Sequence, residues 1–174
     1  MNYATIKKFD IANGPGIRVS IFVSGCRRYC KGCFNPEAWD FNYGQEYTPN
    51  TWGELKRALS DPNISGLSIL GGDPFEPENL LAINFICKNV KELFPDKTIW
   101  VWTGYDFLED GLIDMDVMKY IDVLIDGRFE EDKKDLRLKW RGSTNQRIID
   151  VRESVKRRCA IRYKDASSTP SVME

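Results

Sequence analysis

Apolar residues fall in short runs along most of the chain, separated by polar turns. Residues 18–23 read RVSIFV, rich in β-branched and aromatic side chains, which predicts a strand. Gly14, Pro15 and Gly16 make a turn just before it. Residues 67–70 predict a short buried strand, stopped by Gly71, Gly72, Asp73 and Pro74. Residues 98–103 predict the next strand, and residues 123–125 another, which ends at Asp126, Gly127 and Arg128. A last strand or extended segment is expected at residues 147–151. Between these runs the apolar period lengthens. Ile83, Cys87, Val90 and Phe94 are spaced i, i+4, i+7 and i+11, which predicts a helix over residues 78–94, with Pro77 in its first turn. Thr51 and Glu54 have capping-box spacing and predict a short helix over residues 52–59. A shorter helical region is expected at residues 112–120.

Strands that alternate with helices imply βαβ units and a mostly parallel α/β sheet. The unusual residues sit just after strands, where parallel sheets gather their ligands along one edge. Segments far apart in sequence are therefore expected to line one site. The chain has 174 residues, enough for one domain, expected over residues 1–164. Residues 165–174 are polar and Ser/Thr-rich and are expected to be a frayed tail.

Composition narrows the chemistry. The net charge is −1, with 42% hydrophobic and 29% charged residues, which gives no reason to expect nucleic acid or a membrane as partner. The first ten residues lack the order of a signal peptide, so a cytoplasmic protein is expected. There is no histidine, which excludes Ser-His and Cys-His catalysis and every histidine-containing zinc site.

Cys26, Cys30 and Cys33 form a C-x3-C-x2-C run directly after the first predicted strand. Three thiolates on one loop can hold three irons of a four-iron cluster and leave the fourth open to a substrate. Structural zinc prefers four ligands, and a disulfide within so short a loop is strained. Cys87 lies on a buried helical stripe and reads as a core residue, while Cys159 is remote. Arg27, Arg28 and Lys31 would favour a cluster's negative charge. Gly71, Gly72 and Asp73 alone read as a turn or as a close approach of backbone to ligand. Asp126 and Arg128 read as a solvated pair or as a carboxylate-binding strand end. Trp100 and Trp102 share one strand face, and residues 155–164 read as a solvated basic helix face.

With its flanking words, the cysteine run resembles the radical S-adenosylmethionine (SAM) superfamily. NGPGIR at 13–18, VSGC at 23–26 and GGDP at 71–74 resemble the glycyl-radical-enzyme activases. CFN at 33–35, WVWTGY at 100–105, LIDGRF at 124–129, WRGS at 140–143, and Asn145 with Gln146 resemble the branch that activates anaerobic ribonucleotide reductase. The similarity covers about residues 2–151.

The resemblance implies an abbreviated, partial and open (β/α) barrel. It implies a [4Fe-4S] cluster on Cys26, Cys30 and Cys33, with SAM chelated to the open iron. Gly71, Gly72 and Asp73 would meet the SAM amino group, although Asp73 stands where many relatives carry Glu. Backbone at Gly32 and Cys33 would approach the adenine, and the Phe34 ring would either stack there or pack in the core. Asp126 and Arg128 match a strand end that carries Asp-x-Lys in pyruvate formate-lyase activases, near the methionine part of SAM. The implied partners are the large catalytic subunit of anaerobic ribonucleotide reductase and an electron donor such as flavodoxin. The alternatives are an activase of another glycyl radical enzyme, such as pyruvate formate-lyase, and a non-enzymatic metal-binding or redox module.

Overall fold

The computed structural model describes residues 1–164, so the expected tail lies outside the described residues. The strands are β1 (Asn2–Asp10), β2 (Ile17–Val23), β3 (Gln45–Glu46), β4 (Ile64–Gly71), β5 (Thr98–Trp102), β6 (Val123–Asp126) and β7 (Arg147–Asp150). They form one seven-stranded sheet in the order β3-β1-β2-β4-β5-β6-β7. The centre, β2-β4-β5-β6, is parallel, and β1 and β7 close it antiparallel on either side. Helices α1 (Pro49–Leu59), α2 (Pro77–Leu93) and α3 (Val151–Arg157) complete a partial, open (β/α) barrel.

The period-2 geometry of the central strands sorts the core into two faces. Val19, Ile21, Leu67, Ile69, Ile99 and Val101 pack with Leu55 and Leu59 of α1 and Ile83, Ile86, Cys87 and Val90 of α2. The alternate positions Trp100, Val123 and Ile125 form a second cluster with Trp102, Trp140, Ile148 and Tyr163. Trp100 and Trp102 thus share a face, as the alternation predicts. On that face Arg18 is fully buried. It donates to Ser68 Oγ at 2.7 Å, Leu67 O at 2.8 Å, and Thr98 Oγ1 and O at 3.0 and 2.9 Å. Burial pulls its guanidinium down to about 10. One side chain of β2 therefore stitches the middle of β4 to the amino end of β5.

Several predicted elements shift. β1 has no counterpart in the sequence reading, because only Tyr3 and Asp10 of its nine residues are buried and its lysines hide the alternation. The first helix is capped by Thr48 rather than Thr51; Thr51 is the third helical residue, and its hydroxyl accepts from Thr48 N at 3.1 Å. Residues 112–120 form two 3-10 turns, Leu112–Asp114 and Asp116–Tyr120, separated by Met115 in extended conformation. The basic segment is helical only to Arg157, where Arg158 turns left-handed at φ 57°. Beyond it the chain lies back on β7, with Ile161 O accepting from Asp150 N at 2.9 Å and Tyr163 N donating to Ile148 O at 2.9 Å. Among the described residues no helix is long and apolar enough to cross a membrane.

Candidate active site

Parallel strands end together, and their carboxyl ends here open on a cleft of about 400 Å³. Phe22, Leu70 and Trp102 from the strand ends line it, with Cys26, Cys30 and Cys33 of the loop after β2 and Gly127 and Phe129 after β6. All three thiols are free; Cys26 and Cys30 are buried and Cys33 is half-buried. Cys87 is buried in the α2 core, and Cys159 is exposed on the far segment.

The cysteine loop is held mostly by backbone. Gly25 N donates to Ala38 O at 2.8 Å, Cys26 N to Trp39 O at 3.3 Å, and Asp73 N to Gly25 O at 2.8 Å. The approach of residues 71–73 to this loop leaves no room for side chains. A Cβ on Gly72 would lie 2.6 Å from Gly25 O and 2.9 Å from Ala38 O, and Gly71 adopts φ +117°. Buried Asn79 joins the same pieces, donating to Ser24 O at 3.0 Å and Asp73 O at 2.9 Å.

Asp73 lines the cleft but is fully buried, and its carboxylate serves the frame. Thr103 Oγ1 donates to both oxygens at 2.8 and 3.0 Å, Gly104 N to Oδ2 at 2.8 Å, and Phe75 N to Oδ1 at 3.0 Å. Burial pushes its carboxyl up to about 6 against these donors. Asp126 is also fully buried and does not line the cleft. It accepts from Arg147 Nε at 3.0 Å, from Arg147 Nη2 and from Phe107 N at 2.8 Å. Its partner is therefore Arg147, not Arg128. Arg128 is exposed and reaches Tyr29 O in the cysteine loop at 3.4 Å, so Gly127 alone of that turn lines the cleft.

Gly32 is exposed with φ +70° beside Glu131, outside the lining residues. Phe34 does line the cleft; it is 64% exposed and meets Phe129 edge-on at 5.2 Å, so its ring stands at the rim and not in the core. Arg28, expected only to favour a cluster's charge, lines the cleft, as do Trp39, Thr103, Gly104 and Gln146, which the sequence reading did not select as site residues. Gln146 locks the far wall, accepting from Gly142 N at 2.8 Å and donating to Gly127 O at 3.0 Å. Thr103 and Gly104 lie in the word WVWTGY, Gln146 just past WRGS and Arg28 in the cysteine run, but only the fold sorts out their side-chain roles, and Trp39 lies in none of these words.

The donor set fits an iron–sulfur cluster. Burial pushes the Cys26 thiol up to about 12, and negative charge at Asp73, Cys30 and Glu76 adds to the shift. That thiol stays protonated unless a cation takes its thiolate. Among the described residues no three Cys, Asp or Glu side chains converge as they would on a single ion. A four-iron cluster asks instead for one thiolate at each of three corners.

A family model described as a 4Fe-4S single cluster domain matches residues 12–149. An anaerobic ribonucleoside-triphosphate reductase-activating protein of Enterobacteria phage T4 is 45% identical over 148 residues, 85% of this chain and 93% of the phage protein. The chain belongs to the anaerobic ribonucleoside-triphosphate reductase-activating proteins. Proteins of that name from Vibrio cholerae serotype O1 and Escherichia coli K12 are 44% and 42% identical, over 85% and 87% of this chain and 97% and 100% of their own lengths. In this family member the cleft, the cysteine loop and the clamped strand ends all fall within the matched residues.

Proposed function

We propose that this activating protein generates the glycyl radical on the large subunit of an anaerobic ribonucleotide reductase. The observation that carries the reading is three free thiols on one loop, lining a glycine-floored cleft at the carboxyl edge of a parallel sheet. When bound, the cluster supplies one electron that cleaves SAM into methionine and a 5′-deoxyadenosyl radical, which takes hydrogen from a glycine Cα of the partner.

The chain's own residues supply placement. Cys26, Cys30 and Cys33 would hold three irons and leave the fourth for SAM. Gly71 and Gly72 let backbone approach the amino group of SAM, and Asp73 fixes the floor they belong to through Thr103 and Gly104. Backbone at Cys33, with Gly32 and Phe34 beside it, gives the adenine a rim. Asp126 and Arg128 act through what they hold, the Phe107 N–H with Arg147 and the Tyr29 carbonyl. Phe22, Trp39, Trp102 and Phe129 make the walls largely aromatic, which keeps water from a reactive radical. We place the protein in the cytoplasm, with a reducing donor such as flavodoxin.

The test is to incubate reconstituted protein, SAM and reductant with an anaerobic ribonucleotide reductase and with pyruvate formate-lyase. A glycyl radical signal on the reductase, with 5′-deoxyadenosine formed, is expected. A signal on pyruvate formate-lyase alone would sink the choice of partner. Stoichiometric zinc, with no SAM cleavage after reconstitution, would sink the reaction.

A further inference from the structure

Three cationic side chains ride on the cysteine loop, and the fold gives them different surroundings. Arg27 is saturated: Nη1 donates to Glu76 at 2.7 Å and to Glu78 at 2.9 Å, and Nη2 to Glu78 at 2.5 Å. Lys31 pairs with Glu131 at 3.1 Å and is 87% exposed. Arg28 alone of the three lines the cleft. Its guanidinium lies 3.6 Å from the centre of the Tyr105 ring, so the ring takes its face and leaves its N–H edges for other partners. The stem runs over Gly104, where a Cβ would meet Arg28 Cγ at 2.9 Å. Its ion pair is weak, from Nη2 to Asp110 Oδ2 at 3.3 Å, on an oxygen that also accepts from Asp106 N at 2.7 Å. The Nε–H is buried and has no acceptor among the described residues.

A buried donor without an acceptor is costly and rare, and a charged one more so. Nη1 has no acceptor among the described residues either and, unlike Nε, is not closed off, so Arg28 stands as half of an interaction whose other half can arrive with a ligand at that edge. On the cleft wall Asp73 already accepts from Thr103, Gly104 and Phe75, and Gln146 Oε1 from Gly142 N and Ser143 N, so an acceptor for Arg28 comes from what the cleft binds. We propose that Arg28 holds the carboxylate of the methionyl group of SAM, an inference that rests on the SAM reading above. SAM carries one carboxylate; its sulfonium and ammonium repel a guanidinium, and its adenosine is neutral. A planar fork with free edges matches a carboxylate better than a diffuse cluster charge.

The experiment compares SAM with decarboxylated SAM, which keeps the amine and sulfonium. Affinities are measured by titration calorimetry on the anaerobically reconstituted protein, with iron content and melting temperature as controls. Arg28→Gln is expected to weaken SAM about 10- to 100-fold and the decarboxylated analogue less than about twofold. Arg28→Lys keeps the charge but not the planar fork, so SAM binding should still fall about tenfold while the cluster's midpoint potential without SAM stays put. This second variant carries the comparison if the glutamine variant loses iron. Equal losses for both nucleosides, or none, overturn the assignment. A shifted potential with unchanged SAM affinity also overturns it and gives Arg28 to the cluster. Wild-type protein that binds neither nucleoside overturns this inference and the SAM reading together, whereas wild-type binding with unaffected variants overturns Arg28 alone.

Discussion

Replacing Arg147 with Met should cost this protein more than any change to Arg128, although Arg128 stands beside Asp126 in sequence. Asp126 is fully buried at the end of β6. Arg147 supplies its countercharge through two nitrogens and also reaches Asp106 at 2.7 Å. Arg147→Met keeps the aliphatic stem but leaves a buried carboxylate with one donor, the Phe107 N–H at 2.8 Å. Breaking a buried pair from one side costs about 3–5 kcal/mol, against which the lost rim contact to Asp106 is small. For a chain of this length each kcal/mol is worth roughly 2–4 °C, so the melting temperature should fall by roughly 6–20 °C. Arg128→Met removes one long bond to Tyr29 O and should change stability by no more than about 0.5 kcal/mol. Asp126→Asn on top of Arg147→Met removes the stranded charge and should restore a good part of the loss. Urea unfolding followed by circular dichroism, under anaerobic reducing conditions, measures all four proteins. If Arg147→Met lies within 1 kcal/mol of the wild type, or Arg128→Met matches it, the assignment of this pair is wrong.

Asp73→Asn leaves one of Thr103, Gly104 or Phe75 facing an amide N–H instead of an acceptor, so a loss of about 1–3 kcal/mol is expected in the same assay. An unfolding free energy at or above wild type would show that the carboxylate is not needed there. Gly72→Ala drives a methyl into two backbone carbonyls and should cost about 1–3 kcal/mol and weaken SAM binding; unchanged values for both would contradict the close approach. Cys30→Ala should abolish bound iron, while Cys87→Ala, in the α2 core, should keep it; equal iron loss in both would refute the ligand set. Glu78 is held down to about 2 by its hydrogen bonds with Arg27, below its usual 4.5, so its contribution is complete above pH 4.5 and fades as pH falls toward 2. The melting-temperature gap between wild type and Glu78→Gln should close over that window and shrink in high salt.

What the sequence disclosed follows from how local each signal is. β2, β4, β5, β6 and α2 are buried on one or both faces, so their apolar runs carry their own period. β1 carries little: Phe9 is 70% exposed and Lys7 and Lys8 face outward, and its place comes from pairing with β2. The cysteine loop was legible because three ligands share one short segment. The surroundings of Asp73 and Asp126 were not, since Thr103 lies 30 residues from the first and Arg147 21 residues from the second. Arg27, Arg28 and Lys31 are equivalent as a charge pattern; only the placement of Glu76, Glu78 and Glu131 leaves Arg28 with a buried, unused donor.

The two motif aspartates answer one structural problem. Past the carboxyl end of a parallel strand, the backbone N–H groups lose their ladder partners and need acceptors. β5 lies between β4 and β6, and the loop after it is clamped from both sides. Asp73, from the β4 side, takes Gly104 N and the Thr103 hydroxyl. Asp126, from the β6 side, takes Phe107 N, while Gly127 N donates to Tyr105 O at 3.0 Å. Between these clamps stands Tyr105, the ring on which Arg28 rests. Both carboxylates thus govern the cleft at one remove, by fixing the platform for the single loop cation that faces it. A carboxylate free to turn toward a ligand would leave that platform loose, so the full burial of Asp73 and Asp126 is what their position requires.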